Sequence, residues 1–447
     1  MKRLCMLVLK RASLALTPIL IELLPKELFP ISLTLSFLAV TVYKTTKGGL
    51  PMSGYTIIDV DTHVTETPDV WTSRVPARMR EAVPHIDTDA QGRQWWVLGD
   101  KRLASPGLSA TAGVGDMKHW PKTYDEMHPG AYDAKARLKY MDEMGIWAMV
   151  MYPNVGGFGS QQFLKLGDPE LMLACVQAYN DWQTEWASVD ARRLLPTTSL
   201  PFWDVTAAVK EVRRCAPMGH KGILFTGEPQ SFGQPLLGDR YWDPLWEVAV
   251  ELDLPISFHV GSGSMELGLR KDKVATYGRM AAFTELSVEL LLRNGIQLSD
   301  LIMSGVLARY PKIKFVSVES GVGWIPFALE ALDYQFVGNR VKEDRPDLDL
   351  MPSEYFARNV YACYWFEQTA PRRLLDKVGV DNIMFETDFP HPTSLYGEDV
   401  HARITGGLSD CEESVRRKIL WDNAQKLYKV EGPTAQDEAR RAAAASA

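Results

Sequence analysis

Residues 55–64 read YTIIDVDTHV, a β-branched run in which acids and then a histidine recur at every second position. Alternate residues of a strand point to the same side, so the spacing predicts Asp59, Asp61 and His63 on one face. An ordinary half-buried strand turns apolar side chains inward. A face with two carboxylates and an imidazole either meets solvent or surrounds something that offsets the cost of burying charge. A divalent cation does so.

Similar runs recur along the chain, bounded by Pro, Gly or Asp. They begin at Trp147 (WAMVMYPN), Leu194 (LLPTTSLP), His220 (HKGILFT) and Pro255 (PISFHVG). Three more begin at Lys312 (KIKFVSVES), Asn359 (NVYACYW) and Asn382 (NIMFETDFPHP). Amphipathic stretches such as VTAAVKEVRRCA and DPLWEVAVELD separate them, and Gly145 and Gly379 follow apolar-periodic runs as helix-terminating glycines do. Eight strands alternating with helices predict an α/β fold with a parallel sheet closed into a (β/α)8 TIM barrel over residues 55–430. The irregular residues 64–130 are expected as an insertion after the first strand, capping the C-terminal mouth. Within it RQWWVLGDKRL reads as a hairpin turning at Gly99 and Asp100.

Composition narrows the function. The 447 residues are 46% hydrophobic and 23% charged, as in a large soluble enzyme. A formal charge of -7, with no Lys/Arg block, excludes a nucleic-acid partner, because phosphate binding needs a basic field. Five scattered cysteines without a CxxC pair read as buried thiols of a reducing compartment, so a cytoplasmic location is expected.

The ends differ from the middle. Residues 1–54 hold seven Lys/Arg and two acids, leaving 42 basic against 54 acidic residues downstream. Their longest uncharged run, Leu28–Tyr43, has 16 residues and contains Pro30. That is short of the roughly 20 apolar residues of a membrane span. The segment reads as an upstream extension, with the working protein beginning near Met52; a weak membrane anchor is the alternative. Residues 431–447, ending RRAAAASA, read as a low-complexity tail that is a frayed helix or disordered.

Reactive side chains of such a barrel come from the C-terminal ends of its strands. Asp61 and His63 end the first strand, His259 the fifth, Glu319 the sixth and Asp388 the eighth. Each has an ordinary reading when taken singly: a hydrogen-bonded core histidine, two capping aspartates, a glutamate paired with arginine. Converging on one mouth, they form a mixed nitrogen and oxygen set suited to Zn²⁺, or to Mn²⁺ where oxygen ligands dominate. Asp59 reads as a buried hydrogen-bond acceptor one layer deeper. The glycines of NVGGFGS line the mouth or make a turn, and His220 reads as a surface or loop residue. Arg74, whose planar fork suits a carboxylate, and Trp71 are the candidate substrate-binding residues of the insertion.

DVDTHVTE, ISFHVGSG, RYPKIKFVSVESGVGWIPFALEALD and NIMFETDFPHP together resemble, in content and order, the amidohydrolase superfamily. The nearest branch includes aminocarboxymuconate-semialdehyde decarboxylase and the hydroxybenzoate decarboxylases. The resemblance implies a distorted barrel, one divalent metal (Zn²⁺ before Mn²⁺), a small-molecule substrate and a homodimer. It places the metal ligands at Asp61, His63, His259 and Asp388. Asp61 stands where many members carry a histidine, and Glu319 stands where the decarboxylases carry one. His391, three residues beyond Asp388, can supply that imidazole from the following loop. Asp388, Glu319 and His391 are therefore the expected catalytic residues. Two reactions are open. The resemblance favours non-oxidative decarboxylation of an aromatic or enol-type acid; Glu319 favours hydrolysis of an ester, lactone, amide or β-diketone. A non-catalytic ligand-binding barrel is the third reading.

Overall fold

In a computed structural model, which describes residues 56–114, 119–263 and 269–445, all eight expected runs contain strands. The barrel strands are β1 (Ile57–His63), β2 (Ile146–Tyr152), β3 (Leu194–Ser199) and β4 (Gly222–Leu224), then β5 (Ile256–His259), β6 (Phe315–Val318), β7 (Val360–Tyr364) and β8 (Ile383–Phe385). They pair in parallel around a closed ring, β1-β8-β7-β6-β5-β4-β3-β2. Every residue of these strands is buried. Both faces of the sheet are covered, which explains the near-continuous apolar runs. The expected N-terminal extension and Cys5 lie outside the described residues. No helix among those described is long and apolar enough to cross a membrane.

Helices of seven or more residues are α1 (Ala134–Met144), α2 (Pro169–Ala187), α3 (Val205–Cys215), α4 (Asp243–Leu252) and α5 (Lys271–Tyr277). They continue with α6 (Arg279–Met303), α7 (Ile325–Gly338), α8 (Pro352–Asn359), α9 (Glu398–Leu408) and α10 (Ala435–Ala445). Asp133, Asp168 and Asp204 begin α1, α2 and α3, each accepting backbone N–H bonds that the first turn cannot satisfy internally. Gly145 ends α1 at φ 73°, where a side chain would be strained.

The first strand departs from strict alternation. Asp59 pairs with Met149 but Thr62 pairs with Met151, so three steps on β1 match two on β2. This bulge puts Asp59 and Thr62 on one side and His63 on the other. Asp59 therefore does not share the face of His63, as simple alternation predicts; it points with Thr62 toward the helices. There its carboxylate accepts from Thr387 N at 3.0 Å, Thr387 Oγ1 at 2.5 Å and Asp61 N at 3.3 Å. These bonds tie β1 to the segment that carries Asp388. The buried Arg137 of α1 completes the support, donating to the carbonyls of Gly130 at 2.5 Å and His63 at 2.6 Å.

The insertion contains an antiparallel sheet of His85–Thr88, Gln94–Leu98 and Lys101–Arg102, with the expected turn at Gly99 and Asp100. Of the two states expected for the C-terminal segment, the structure has the helix, and it is anchored: α10 is held by Arg192 on Asp437 at 3.0 Å and by Arg441 on the Gly145 carbonyl at 2.7 Å. One reading of the sequence needs correction. His220 is not a surface residue: it is buried between Thr184 Oγ1 at 2.9 Å and Thr198 Oγ1 at 3.1 Å.

Candidate active site

The C-terminal ends of β1, β5, β6 and β8 bring Asp61, His63, His259, Glu319 and Asp388 together. One donor atom from each of Asp61, His63, His259 and Glu319 lies within 4.8 Å of the others, and the same holds for His63, Glu319, Asp388 and His391. Backbone pairing beyond β8 sets this juxtaposition: Asp388 N donates to the Asp61 carbonyl at 2.9 Å, and His63 N to the Phe389 carbonyl at 2.7 Å. Glu319 and Asp388 both have left-handed backbones, φ 56° and 60°. Non-glycine residues are uncommon there, and such strain concentrates at functional sites.

The donor set fits a cation. His63 Nδ1 lies 3.1 Å from the Pro153 carbonyl and His259 Nδ1 2.8 Å from the Val260 carbonyl. A carbonyl only accepts, so both Nδ1 atoms carry hydrogen, and the neutral rings present both Nε2 lone pairs. Those two Nε2 atoms face each other at 3.1 Å. Asp61 Oδ1 is 3.6 Å from His63 Nε2 and 3.4 Å from His259 Nε2, and Glu319 Oε2 is 3.4 Å from His259 Nε2. Both carboxylate oxygens of Asp61 and of Asp388 are buried without a hydrogen-bond partner. Converging lone pairs and orphaned carboxylates demand positive charge between them.

The titration behaviour has the same origin. Burial, reinforced by Asp61, pushes the Glu319 carboxyl up to about 8 against the opposing pull of His259. Burial and the neighbouring Glu319 and Asp61 push Asp388 well above the carboxylate range. Burial likewise raises Glu386, whose Oε2 accepts the Glu319 backbone N–H at 3.0 Å. Four acids thus crowd a site from which water is largely excluded.

His391 forms a second arm. Its ring stacks on His63 with centroids 3.6 Å apart, and its Nδ1 lies 3.0 Å from Asp388 Oδ1. Its Nε2 lies 2.6 Å from Asn154 Oδ1. Asn154 Nδ2 donates to the Val64 carbonyl at 3.1 Å, which fixes the amide with its oxygen toward His391. His391 therefore carries hydrogen on Nε2 and, when neutral, offers the Nδ1 lone pair to Asp388. Burial lowers this imidazole to about 3, which favours the neutral form.

A cavity of about 320 Å³ opens onto Glu319, Asp388 and His391. Phe283, Leu286 and Leu290 of α6 and Trp365 and Phe366 after β7 supply an apolar wall. Its size and lining suit a single aromatic ring. Phe158, from the glycine-rich turn after β2, lies 4.1 Å from the His259 ring and 5.0 Å from His63.

The expected substrate-binding pair sits elsewhere. Trp71 is buried in the core, donating to the Cys175 carbonyl at 2.9 Å and meeting Trp96 edge to face at 5.4 Å. Arg74 is paired with Glu185 and also donates to the Val70 carbonyl, so its fork is already engaged. Neither lines the 320 Å³ cavity above the cluster. Asn154, Phe158 and Glu386 were not singled out from sequence. Asn154 and Glu386 carry the one signal available, a polar residue at the end of a strand run.

Comparison with known proteins gives a consistent result. The amidohydrolase family profile matches residues 58–430. The chain is 26% identical over 333 residues to gamma-resorcylate decarboxylase of Polaromonas sp. (strain JS666), covering 72% of this chain and 94% of that protein. A crystal structure of an amidohydrolase from Mycobacterium avium subsp. paratuberculosis K-10 superposes with a TM-score of 0.67 at 28% identity, covering 84% of this chain and 99% of the other. A dihydroxybenzoic acid decarboxylase from Polaromonas sp. JS666, solved with manganese and 2-nitroresorcinol, shares the fold at a TM-score of 0.58 and 20% identity, over 85% and 98% of the two chains.

Proposed function

From the premise that the chain belongs to the amidohydrolase family, we propose that it is a metal-dependent carboxy-lyase that removes CO₂ from a hydroxylated aromatic acid. The observation that carries the reading is the pair of imidazole Nε2 atoms facing each other at 3.1 Å among orphaned carboxylates, beneath an apolar cavity the size of one ring. Asp61, His63, His259 and Asp388 would hold the cation, with Glu319 at its edge. A divalent ion bound there supplies Lewis-acid polarisation of substrate oxygens. The oxygen-rich donor set and the manganese of the solved decarboxylase favour Mn²⁺, with Zn²⁺ the alternative.

The chain's own residues handle the proton. The substrate ring lies against Phe283, Leu286 and Trp365, with its carboxylate toward the cluster. Asp388, 3.0 Å from the His391 Nδ1, delivers a proton to the ring carbon that bears the carboxylate. The carbon–carbon bond then breaks, its electron pair returns to the ring, and CO₂ leaves. His391, held in one tautomer by Asn154, accepts a hydrogen bond from the protonated Asp388 and so fixes its orientation; the proton passed to the ring is replaced from solvent through the cavity once the product has left. The water-poor apolar wall disfavours the charged acid and favours the uncharged product. Glu319 supports a second reading: a carboxylate beside the cluster is placed as the general base of a hydrolase.

One screen separates the two. The metal-loaded protein is incubated with a panel of hydroxybenzoates and a panel of aryl esters and lactones. Release of CO₂ from a hydroxybenzoate supports the lyase. Acid formation from the esters without CO₂ release replaces it with the hydrolase.

A further inference from the structure

A second cavity, of about 360 Å³, is reached through the hydrogen-bond partner of His391. Asn154 lines this second cavity, His391 lines the first, and their 2.6 Å hydrogen bond forms the partition. The second cavity is framed by the residues after β1, the loop after β2 and the insertion. Thr65, Glu66 and Ser105 line it, and one side-chain atom of each, Thr65 Oγ1, Glu66 Oε2 and Ser105 Oγ, is buried without a hydrogen-bond partner. Thr65, Glu66 and Ser105 are at most 1% exposed. Buried polar groups are nearly always satisfied, so three orphans in one cavity point to an occupant.

The wall defines what that occupant is. Trp96, Leu103, Pro106 and Val155 give it apolar faces. Glu66 Oε1 accepts the Asn154 and Val155 backbone N–H groups at 2.8 and 2.9 Å, so only Oε2 is left to meet a ligand hydroxyl. The hydroxyls of Thr65 and Ser105 both donate and accept. Two cations stand at the rim, and both are engaged: Arg102 donates to Asp87 at 3.1 Å and Lys165 to Gln162. Asp87 offsets the charge of Arg102, whereas Lys165 at the rim keeps its own; a cation would meet Lys165, and an anion would meet Glu66 deeper in the wall. Burial pushes the Glu66 carboxyl up to about 7, which also suits a neutral guest.

We propose that this cavity is a second ligand site, separate from the metal cluster, for an uncharged aromatic ring bearing hydroxyl groups. The ring stacks against Trp96, and its hydroxyls satisfy Glu66 Oε2 and the Thr65 and Ser105 hydroxyls. The link to turnover rests on the decarboxylase reading: removal of CO₂ from a hydroxybenzoate leaves a phenol, the chemistry this wall accepts. The site then holds product on the far side of Asn154, away from the proton-carrying pair.

The test is calorimetric titration with phenol, and with benzoate as the charged control, on metal-loaded and chelator-treated protein. Ser105→Val removes one orphan at nearly constant volume. Glu66→Gln keeps Oε1 for the backbone and exchanges the acceptor Oε2 for an NH₂ donor. The expected result is a phenol site that persists after chelation, distinct from any binding in the substrate cavity, and is weakened at least about fivefold in each variant whose circular dichroism is native. In chelator-treated protein, phenol affinity unchanged in natively folded Ser105→Val, no phenol binding at all, or benzoate bound as tightly as phenol overturns the proposal. Binding is read without turnover. Phenol binding in a protein that releases no CO₂ therefore refutes the decarboxylase reading alone, and CO₂ release without phenol binding refutes the second site alone.

Discussion

Replacing Asp388 by Asn separates the binding of the cation from the carriage of the proton. Asn is isosteric and tolerates the left-handed backbone, φ 60°, that Asp388 adopts, so the local fold survives. Its amide oxygen remains a weak ligand beside Asp61, His63, His259 and Glu319, so the metal is retained. What disappears is the exchangeable proton 3.0 Å from the His391 Nδ1. A positioned acid–base group contributes roughly 10²–10⁴-fold to rate, about 3–5 kcal/mol of barrier at 1.36 kcal/mol per decade. Asp388 is only 1% exposed, at the floor of an apolar cavity, so water replaces it poorly. The expectation is therefore a kcat lowered within that range, with metal content and melting temperature near wild type. The assay is CO₂ release from an accepted hydroxybenzoate, run beside elemental analysis of the same sample. Near-normal turnover with metal bound would refute the assignment and leave Asp388 a structural ligand.

Four further outcomes are expected. His259→Ala removes one of the two facing imidazoles and should lose the metal more completely than Glu319→Ala, as read by elemental analysis after dialysis. Asn154→Leu frees the His391 tautomer and should lower kcat at unchanged KM, with Asn154→Gln recovering part of the loss; equal kcat in all three proteins removes Asn154 from the mechanism. Metal-free protein should lose thermal stability from pH 6.5 to 8.5. Asp59 and Glu66, raised to about 7, and Glu319, raised to about 8, keep protons in the folded state that the unfolded chain has already released. Buried His391 and His220, lowered to about 3 and about 4, act only below the unfolded imidazole value and so lie outside that window. Gly107→Ala puts a Cβ 1.9 Å from the Pro121 carbonyl and should cost about 1–3 kcal/mol, measured by urea unfolding.

What could be read from the sequence was set by periodicity. Buried parallel strands write themselves as apolar runs, and a polar residue closing such a run marks the mouth; Asp61, His63, His259, Glu319 and Asp388 were legible for that reason. The bulge in β1 was not, because one extra residue leaves the run's composition unchanged while inverting the face of Asp59. Trp71 and Arg74 lie in an irregular insertion, where no period relates sequence position to side-chain direction, so residue type alone misassigned them. His220 heads an apolar run rather than ending one, and its burial comes from α2 packing over it. The alanine-rich composition of the last helix left frayed helix and disorder equally open; the partners that hold it, Arg192, Gly145 and Asp142, lie far away in sequence.

The central claim is that one cation in the Asp61, His63, His259 and Asp388 cluster makes this chain a carboxy-lyase. The most direct measurement titrates Mn²⁺ into chelator-stripped protein and follows labelled CO₂ released from a carboxyl-¹³C hydroxybenzoate. Negligible release is expected without metal, with a rate that climbs to a plateau at one equivalent per chain. Release that is independent of added metal, or a plateau reached only at two equivalents, contradicts it.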